Sequence, residues 1–252
     1  MNSLRVLVTN DDGIDAPGLA ALARCALDLG YEPVVAAPSV DASGTSASLM
    51  AAEDFRRVRV ERRRLPGLPG VEAYGVSAHP AFIVLAACRG TFGDQPDLVL
   101  SGINRGANVG RSILHSGTVG AALTATVHGI PAMALSLDVT FDPDEPAHWD
   151  SVAPAIKQLL PELDPDAVLN VNVPNLPVDQ VGPLRTATLA SFGRVQSRIA
   201  RTRDDLIEVT IVVVTDELEA GTDAALLAEG YATVTKVQSV SAVERPPATP
   251  PR

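Results

Sequence analysis

Cysteine is almost missing from this chain: among 252 residues there are two, Cys25 and Cys88. Two thiols can build neither a disulfide framework nor a multi-cysteine zinc site. Both lie in apolar stretches and are expected to be small core residues. Lysine is equally scarce, at Lys157 and Lys236 only, and bases are outnumbered, with 20 Lys and Arg against 30 Asp and Glu for a formal charge of −10. A protein that grips nucleic-acid backbones shows the opposite balance, because it must neutralise phosphates. No dedicated nucleic-acid binding is therefore expected, and any anionic ligand must be held by a local site. No apolar run reaches the ~20 residues of a membrane-spanning helix. The start, MNSLRVLVTNDDG, turns polar too early for a signal peptide. A soluble, cytoplasmic protein with no membrane partner is the expectation.

What is present is enough apolar material for a substantial core: 46% of residues are hydrophobic, which excludes disorder as the main state. Leu4–Val8, Pro33–Ala37, Asp97–Ser101 and Ala132–Leu137 are short apolar runs that predict buried strands. A helix is predicted to open at Ala16-Pro17, where proline is tolerated, with Leu19, Leu22, Ala23 and Leu27 on one face and a stop at Gly30. Unalternated strands separated by helices predict an α/β fold with a parallel sheet covered on both faces. Ligands in such sheets sit in the loops after the strands, here Thr9–Asp15, Pro38–Ser48 and Ser101–Thr118.

After about residue 140 the character changes. Asp142–Pro146 is an acidic loop, Val168–Val173 a strand, Leu206–Val214 a β-branched run suited to a hairpin or arm, and Asp223–Glu229 a short helix leading into Tyr231–Val237. The expected organisation is one α/β domain over 1–243, with a core over about 1–140 and a C-terminal extension over about 141–243. Residues 244–252, with four prolines in nine residues, are expected to form a disordered tail. One charge run, Arg56, Arg57, Arg59, Arg62, Arg63 and Arg64, is either a solvated strand or loop, or a basic lip that attracts an anionic substrate.

The chemistry concentrates in three segments. Asn10-Asp11-Asp12-Gly13 follows the first strand. Two adjacent carboxylates at the mouth of a sheet are costly unless positive charge sits between them. A hard divalent cation with oxygen ligands meets that need, while a single helix cap would need only one Asp. Ser101–Gly110 follows another strand with three glycines, two amides and one arginine, so its backbone can approach a ligand closely. Ser116-Gly117-Thr118 opens an Ala-rich helix whose N–H groups suit a phosphate.

In this order NDDGIDAPG, APSVDASG, PDLVLSGINRGANVG and HSGTVGAA, continued by HGIPAMALS, LNVNVP and GTDAALLAEGYATVT, resemble the SurE family of survival-protein 5'/3'-nucleotidases over roughly residues 4 to 237. The resemblance implies a Rossmann-like three-layer sandwich with a C-terminal extension, including a hairpin, used in assembling a homodimer or homotetramer. It implies a phosphoric monoester hydrolase of the 5'-nucleotidase kind, acting on nucleoside 5'- or 3'-monophosphates. One divalent metal ion per subunit, Mg²⁺ or Mn²⁺, is implied as cofactor. By motif, Asp11 and Asp12 match the catalytic, metal-binding pair, and Ser43 and Asn104 the further metal ligands. Asn108, Ser116, Gly117 and Thr118 match the phosphate pocket, with Asn10 and Gly44 beside it as substrate contacts. An all-oxygen, partly open set of this kind suits Mg²⁺ or Mn²⁺.

This chain departs from the pattern at Ala42, where a basic or polar residue is common, and at Ala78–Val84, where GTPADCV is usual. There His79 replaces Thr and Phe82 replaces Asp. Thr124-Ala125 stand for Glu-Gly, and His115 for a common tyrosine. The changed 78–84 loop motivates a rival reading, a nucleotide-binding relative without turnover or a phosphatase for another phosphoester. Another rival, a receiver domain, needs a third strand-end Asp and a later Lys, where this chain has Ser101-Gly102 and little lysine. Of the histidines, His128 is expected to end a helix, His148 to lie at the surface, His79 to pack or border the pocket, and His115 to pack beside the SGT turn or assist the leaving group.

Overall fold

The structure is a computed structural model and describes residues 3–49, 57–140, 145–192, 195–203, 206–213 and 218–241. Arg56, residues 142–144 of the acidic loop, Val214 and the tail Glu244–Arg252 lie outside the described residues.

Strand β1 (Arg5–Thr9) buries every residue after Arg5. Helix α1 (Pro17–Asp28) starts on the predicted proline and buries Gly18, Leu19, Leu22, Ala23 and Ala26, a helical stripe facing the sheet. Then follow β2 (Glu32–Pro38), β3 (Val60–Arg63), β4 (Glu72–Val76), α2 (Pro80–Cys88), β5 (Leu98–Arg105), α3 (Gly117–Val127) and β6 (Ala132–Asp138). The chain continues through α4 (Ala153–Leu159), β7 (Ala167–Pro174), β8 (Gly182–Thr186), β9 (Val195–Arg203), β10 (Leu206–Val213), α5 (Asp223–Ala228) and β11 (Tyr231–Gln238).

Nine strands form one sheet in the order β3-β4-β2-β1-β5-β6-β7-β11-β8. Strands β4, β2, β1, β5, β6 and β7 are parallel, while β3 runs antiparallel to β4 and β11 antiparallel to β7. The pleat sends Val6 and Val8 to a core with Leu19 and Leu22 of α1 and Ile156 and Leu159 of α4. Leu7 points the other way, into a core with Ile83 and Val84 of α2 and Val119 and Ala122 of α3. This is the three-layer α/β/α arrangement. From β1 the chain first winds outward through β2 and β4, then crosses to β5, β6 and β7. The reversal opens a crevice at the carboxyl ends of β1 and β5, where such sheets take ligands.

The expected boundary near residue 140 is not a boundary of the sheet, since β7, β11 and β8 extend it without a break. What changes there is loop composition, and the antiparallel return of β11 ends the all-parallel part. Strands β9 and β10 form a separate two-stranded antiparallel sheet, the predicted hairpin. Cys25 and Cys88 are half-buried rather than sealed in the core. Burial pushes the Cys25 thiol up to about 11, with Asp28 adding to it, and burial raises Cys88 as well. Among the described residues no helix is long and apolar enough to cross a membrane.

Asp223 ties the C-terminal segment to the crevice. It is fully buried, and one carboxylate oxygen accepts the Gly110 N–H at 2.8 Å. The other accepts the N–H groups of Ala190 at 2.9 Å and of Ala224 at 2.8 Å. An amide in its place would turn an NH₂ toward a backbone donor in either orientation. Asp223→Asn should therefore destabilise the fold by about 2–3 kcal/mol, read from urea unfolding midpoints. A change below about 0.5 kcal/mol would contradict this account of the anchor.

Candidate active site

The chain turns sharply after β1. Asn10 is fully buried, and its amide closes the turn on Gly13 from both sides: Nδ2 donates to the Gly13 carbonyl at 3.1 Å, and Oδ1 accepts the Gly13 N–H at 3.2 Å. Asn10 thus forms the turn with both its polar groups. The turn delivers Asp11 and Asp12 to the crevice. Asp11 is buried and receives both the hydroxyl and the backbone N–H of Thr118. Asp12 is half-buried and accepts the Arg105 N–H at 3.3 Å.

Burial pushes the Asp12 carboxyl up to about 7, and the neighbouring Asp11 charge adds to the rise; the Arg105 contacts oppose it more weakly. Burial also raises Asp11, against the lowering pull of the Thr118 hydroxyl. Both shifts express the cost of removing carboxylates from water, to which Asp41 adds at each and Asp11 adds at Asp12.

Two glycines on one face of α3 make this close assembly possible. A methyl at Gly117 would sit 2.7 Å from an Asp11 carboxylate oxygen, and one at Gly120 would sit 2.5 Å from the Ser46 carbonyl. Gly117 thus admits the first loop and Gly120 the second. The second loop is held further by the Ala42 N–H on the Asp11 carbonyl at 2.8 Å and by the Ser46 hydroxyl on the Leu114 carbonyl at 2.6 Å. At the start of α3, Ser116 Oγ accepts the Val119 N–H at 3.1 Å. The Thr118 hydroxyl is turned to Asp11, so one donor expected for a phosphate is already engaged, whereas the Ser116 hydroxyl only accepts in its bond with Val119.

The third loop is clamped from β7. The Asn108 N–H donates to Asn172 Oδ1 at 2.7 Å, and the Asn108 carbonyl accepts from Asn170 and Asn172, each at 2.9 Å. The Asn108 side chain donates to Ser136 Oγ at 2.9 Å. Asn104 is oriented by its Nδ2, which donates to the Gly106 carbonyl at 2.8 Å. Its Oδ1 lies 3.1 Å from Thr118 Oγ1. That hydroxyl has one proton; given to Asp11, it leaves the Asn104 oxygen uncompensated.

These loops enclose an open cavity of about 310 Å³. The predicted residues Asp11, Asp12, Ser43, Gly44, Asn104 and Asn108 line it, as does Ser116. Gly117 and Thr118 stand behind the wall, in contact with Asp11. Arg105, Ser112 and His115 also line the cavity. Of these, Arg105 was legible as the one cation of its glycine-rich loop, whereas Ser112 carried no signal. Asn170, Asn172 and Asp223 act from a distance in sequence and were missed as site residues.

The remaining departures sit away from the crevice wall. Phe82 packs into the α2–α3 core, and the Thr124 hydroxyl donates to the Gly120 carbonyl at 2.7 Å. His79 is the residue before α2, with a buried Nδ1. His128 ends α3, and His148 is half-buried, its N–H on Asn175 Oδ1 at 2.9 Å.

The donor set fits a hard divalent cation. Asp11, Asp12, the Asn104 oxygen and the Ser43 hydroxyl are all oxygen donors, and the two carboxylates lack enough positive charge to hold their ordinary acidity. Among the described residues no three His, Cys, Asp or Glu side chains converge in a metal-binding group. A cation here would therefore have two carboxylates and complete its shell with neutral oxygens and water, a habit of Mg²⁺ and its like.

A three-layer α/β/α sandwich with paired acids in the strand-end crevice places the chain in the class of Rossmann-like α/β proteins. Within it the chain belongs to the SurE family: the family described as "Survival protein SurE" matches residues 6–196. The 5'-nucleotidase SurE of Dehalococcoides mccartyi is 38% identical over 199 residues, covering 77% of this chain and 72% of the relative. The 5'-nucleotidase SurE 1 of Burkholderia lata is 38% identical over 245 residues, covering 93% and 90%. The crystal structure of the SurE protein from Aquifex aeolicus superposes with a TM-score of 0.75 at 29% identity, covering 93% of each chain.

The raised Asp12 carboxyl has a thermodynamic consequence. With a folded value of about 7 against the ordinary 3.8, the folded protein keeps a proton that the unfolded chain has released. Stability in chelator should therefore fall as pH rises through that window. Between about pH 4.5 and 7.5 the wild type should lose on the order of 2–4 kcal/mol more than Asp12→Asn, measured by urea midpoints. Parallel pH profiles for the two proteins would contradict the assignment.

Proposed function

We propose that the protein is a divalent-cation-dependent phosphomonoesterase of the cytoplasm that hydrolyses nucleoside 5'- or 3'-monophosphates to nucleoside and phosphate. One observation carries this reading: Asp11 and Asp12 share one cavity with two neutral oxygen donors, Asn104 and Ser43. Support for the ester class comes from relatives named 5'-nucleotidase at 38% identity.

In this reading Asp11, Asp12, Asn104 and Ser43 hold one Mg²⁺ or Mn²⁺ ion per subunit. When bound, such an ion draws electron density from the phosphoryl group and offsets its charge. Thr118 fixes Asp11 through two hydrogen bonds, so that carboxylate keeps a single orientation. Asp12 is the less buried of the pair and presents an oxygen edge that accepts a hydrogen bond from the attacking water, turning its lone pair toward phosphorus. Arg105, Asn108, the Ser116 hydroxyl and the backbone of Gly44 bind the phosphate oxygens, where fixed donors stabilise charge that grows in the transition state. His115, at the rim, lies where the leaving alcohol departs. The residues from 1 to 243 act as a single α/β unit, and the β9–β10 hairpin, which pairs with itself outside the nine-stranded sheet, joins subunits into a dimer or tetramer.

The test is phosphate release from a panel of nucleoside monophosphates with Mg²⁺, with Mn²⁺ and with chelator. Release should require the cation, and Asp12→Asn should lower kcat/KM at least about 100-fold while the far-ultraviolet spectrum is unchanged. Undiminished release in chelator, or wild-type turnover in Asp12→Asn, would overturn the proposal. Nucleotide binding without release would favour a nucleotide sensor instead.

A further inference from the structure

On the wall of the Asp11–Asp12 cavity, Ser112 and His115 are neither proposed cation ligands nor phosphate contacts. Both belong to a 3₁₀ turn, Arg111–His115, that joins the glycine-rich loop to α3. Three residues per turn put positions i and i+3 on one face. Ser112 and His115 accordingly line the cavity together, while Ile113 turns into the core. The turn is fixed at both ends. The Arg111 N–H donates to the Ala190 carbonyl at 3.0 Å, and the Ser116 N–H to the Ile113 carbonyl at 3.0 Å.

The chemistry of the pair does not suit a phosphate. Ser112 Oγ donates its one proton to the Val109 carbonyl at 2.8 Å. Val109 is buried, so that carbonyl has no solvent to replace the hydroxyl. What Ser112 offers the cavity is therefore a lone pair and no proton. Phosphate oxygens are acceptors too, and two acceptors facing each other repel. The complementary group is a donor on the uncharged part of the substrate, and in a sugar ester that donor is a hydroxyl. Among the described residues His115 carries the only ring on a wall that has no aliphatic side chain. A flat face at an otherwise polar rim suits a nucleobase, which stacks on rings of any sequence context.

We infer that Ser112 and His115 form the subsite for the leaving alcohol and select ribonucleoside 3'-monophosphates. Ser112 accepts from the 2'-hydroxyl, and His115 stacks on the base. The ester position follows from reach. Ser112 shares one cavity of about 310 Å³ with the phosphate contacts, so the hydroxyl it binds lies next to the ester. In a 3'-ester the neighbouring carbon carries the 2'-hydroxyl; in a 5'-ester the neighbouring carbon carries none. This inference rests on the phosphomonoesterase reading and narrows its substrate.

The experiment compares kcat/KM for 3'-AMP and for 2'-deoxyadenosine 3'-monophosphate at saturating Mn²⁺. The wild type should prefer the ribonucleotide at least about five-fold, the worth of one neutral hydrogen bond. Ser112→Ala should bring that ratio below about two, while Ser112→Thr should keep it. Should the alanine variant fail to fold, Ser112→Cys, similar in size but a weak acceptor, should show the same loss. His115→Ala should lower the preference for 3'-AMP over glycerol 2-phosphate at least about five-fold, and His115→Phe should retain it. Equal turnover of the two nucleotides by the wild type, or an unchanged ratio in Ser112→Ala, would overturn the subsite. So would weaker Mn²⁺ binding by Ser112→Ala, which would make Ser112 a cation ligand instead. If no ester releases phosphate, the catalytic reading fails by itself, and calorimetry of the same two nucleotides in Mn²⁺ decides the subsite. Tighter binding of 3'-AMP, lost in Ser112→Ala, supports it; equal binding or none overturns it.

Discussion

The structure is organised around burial of two adjacent carboxylates at the mouth of a sheet. Asp11 is nearly sealed from water and Asp12 partly so, and each is held in a less acidic state by that burial. Such a pair is unfavourable unless its surroundings compensate it. Thr118 compensates Asp11 through its hydroxyl and N–H, and the Arg105 backbone partly compensates Asp12. The remaining deficit is what the proposed cation would offset.

Much of the surrounding fold keeps that deficit in place. Gly117 and Gly120 bring α3 against two loops at distances that a side chain would forbid. Asn170 and Asn172 hold the backbone of Asn108 from below, and Asp223 holds Gly110 from the side. Rigid strands thus carry the clamps while the loops carry the chemistry, a division that limits how far the reacting groups can drift. Because the clamps come from β7 and α5, the C-terminal third of the chain belongs to the site even though it supplies no proposed ligand.

Local signals made the first half legible. The β1 run, the Pro17 helix start and the glycine-rich loop after β5 each combine a strand or helix pattern with a turn residue at a fixed place; they point to Asp11, Asp12 and the Ser101–Gly110 loop, while the roles of Asn104 and Asn108 came from the family resemblance. Helix α2 was harder to see because PAFIVLAAC is apolar on every side, so it carries no helical period. Strand β3 was hidden by its arginines and β4 by its shortness and Gly75. Asn10 has a second role that its place in NDDG does not announce: its amide closes the turn that delivers the acid pair. The Asn170, Asn172 and Asp223 contacts cross 33 to 113 positions in sequence, and no local pattern encodes a partner so distant.

The central claim, that the buried acid pair exists to hold a cation, is tested most directly by anomalous diffraction from crystals equilibrated with Mn²⁺. The account predicts one strong peak per chain in contact with Asp11 and Asp12 and on the Asn104 Oδ1 side of the crevice, absent in Asp12→Asn crystals. A crevice without a peak at saturating Mn²⁺, or a peak that persists in the variant, would contradict it.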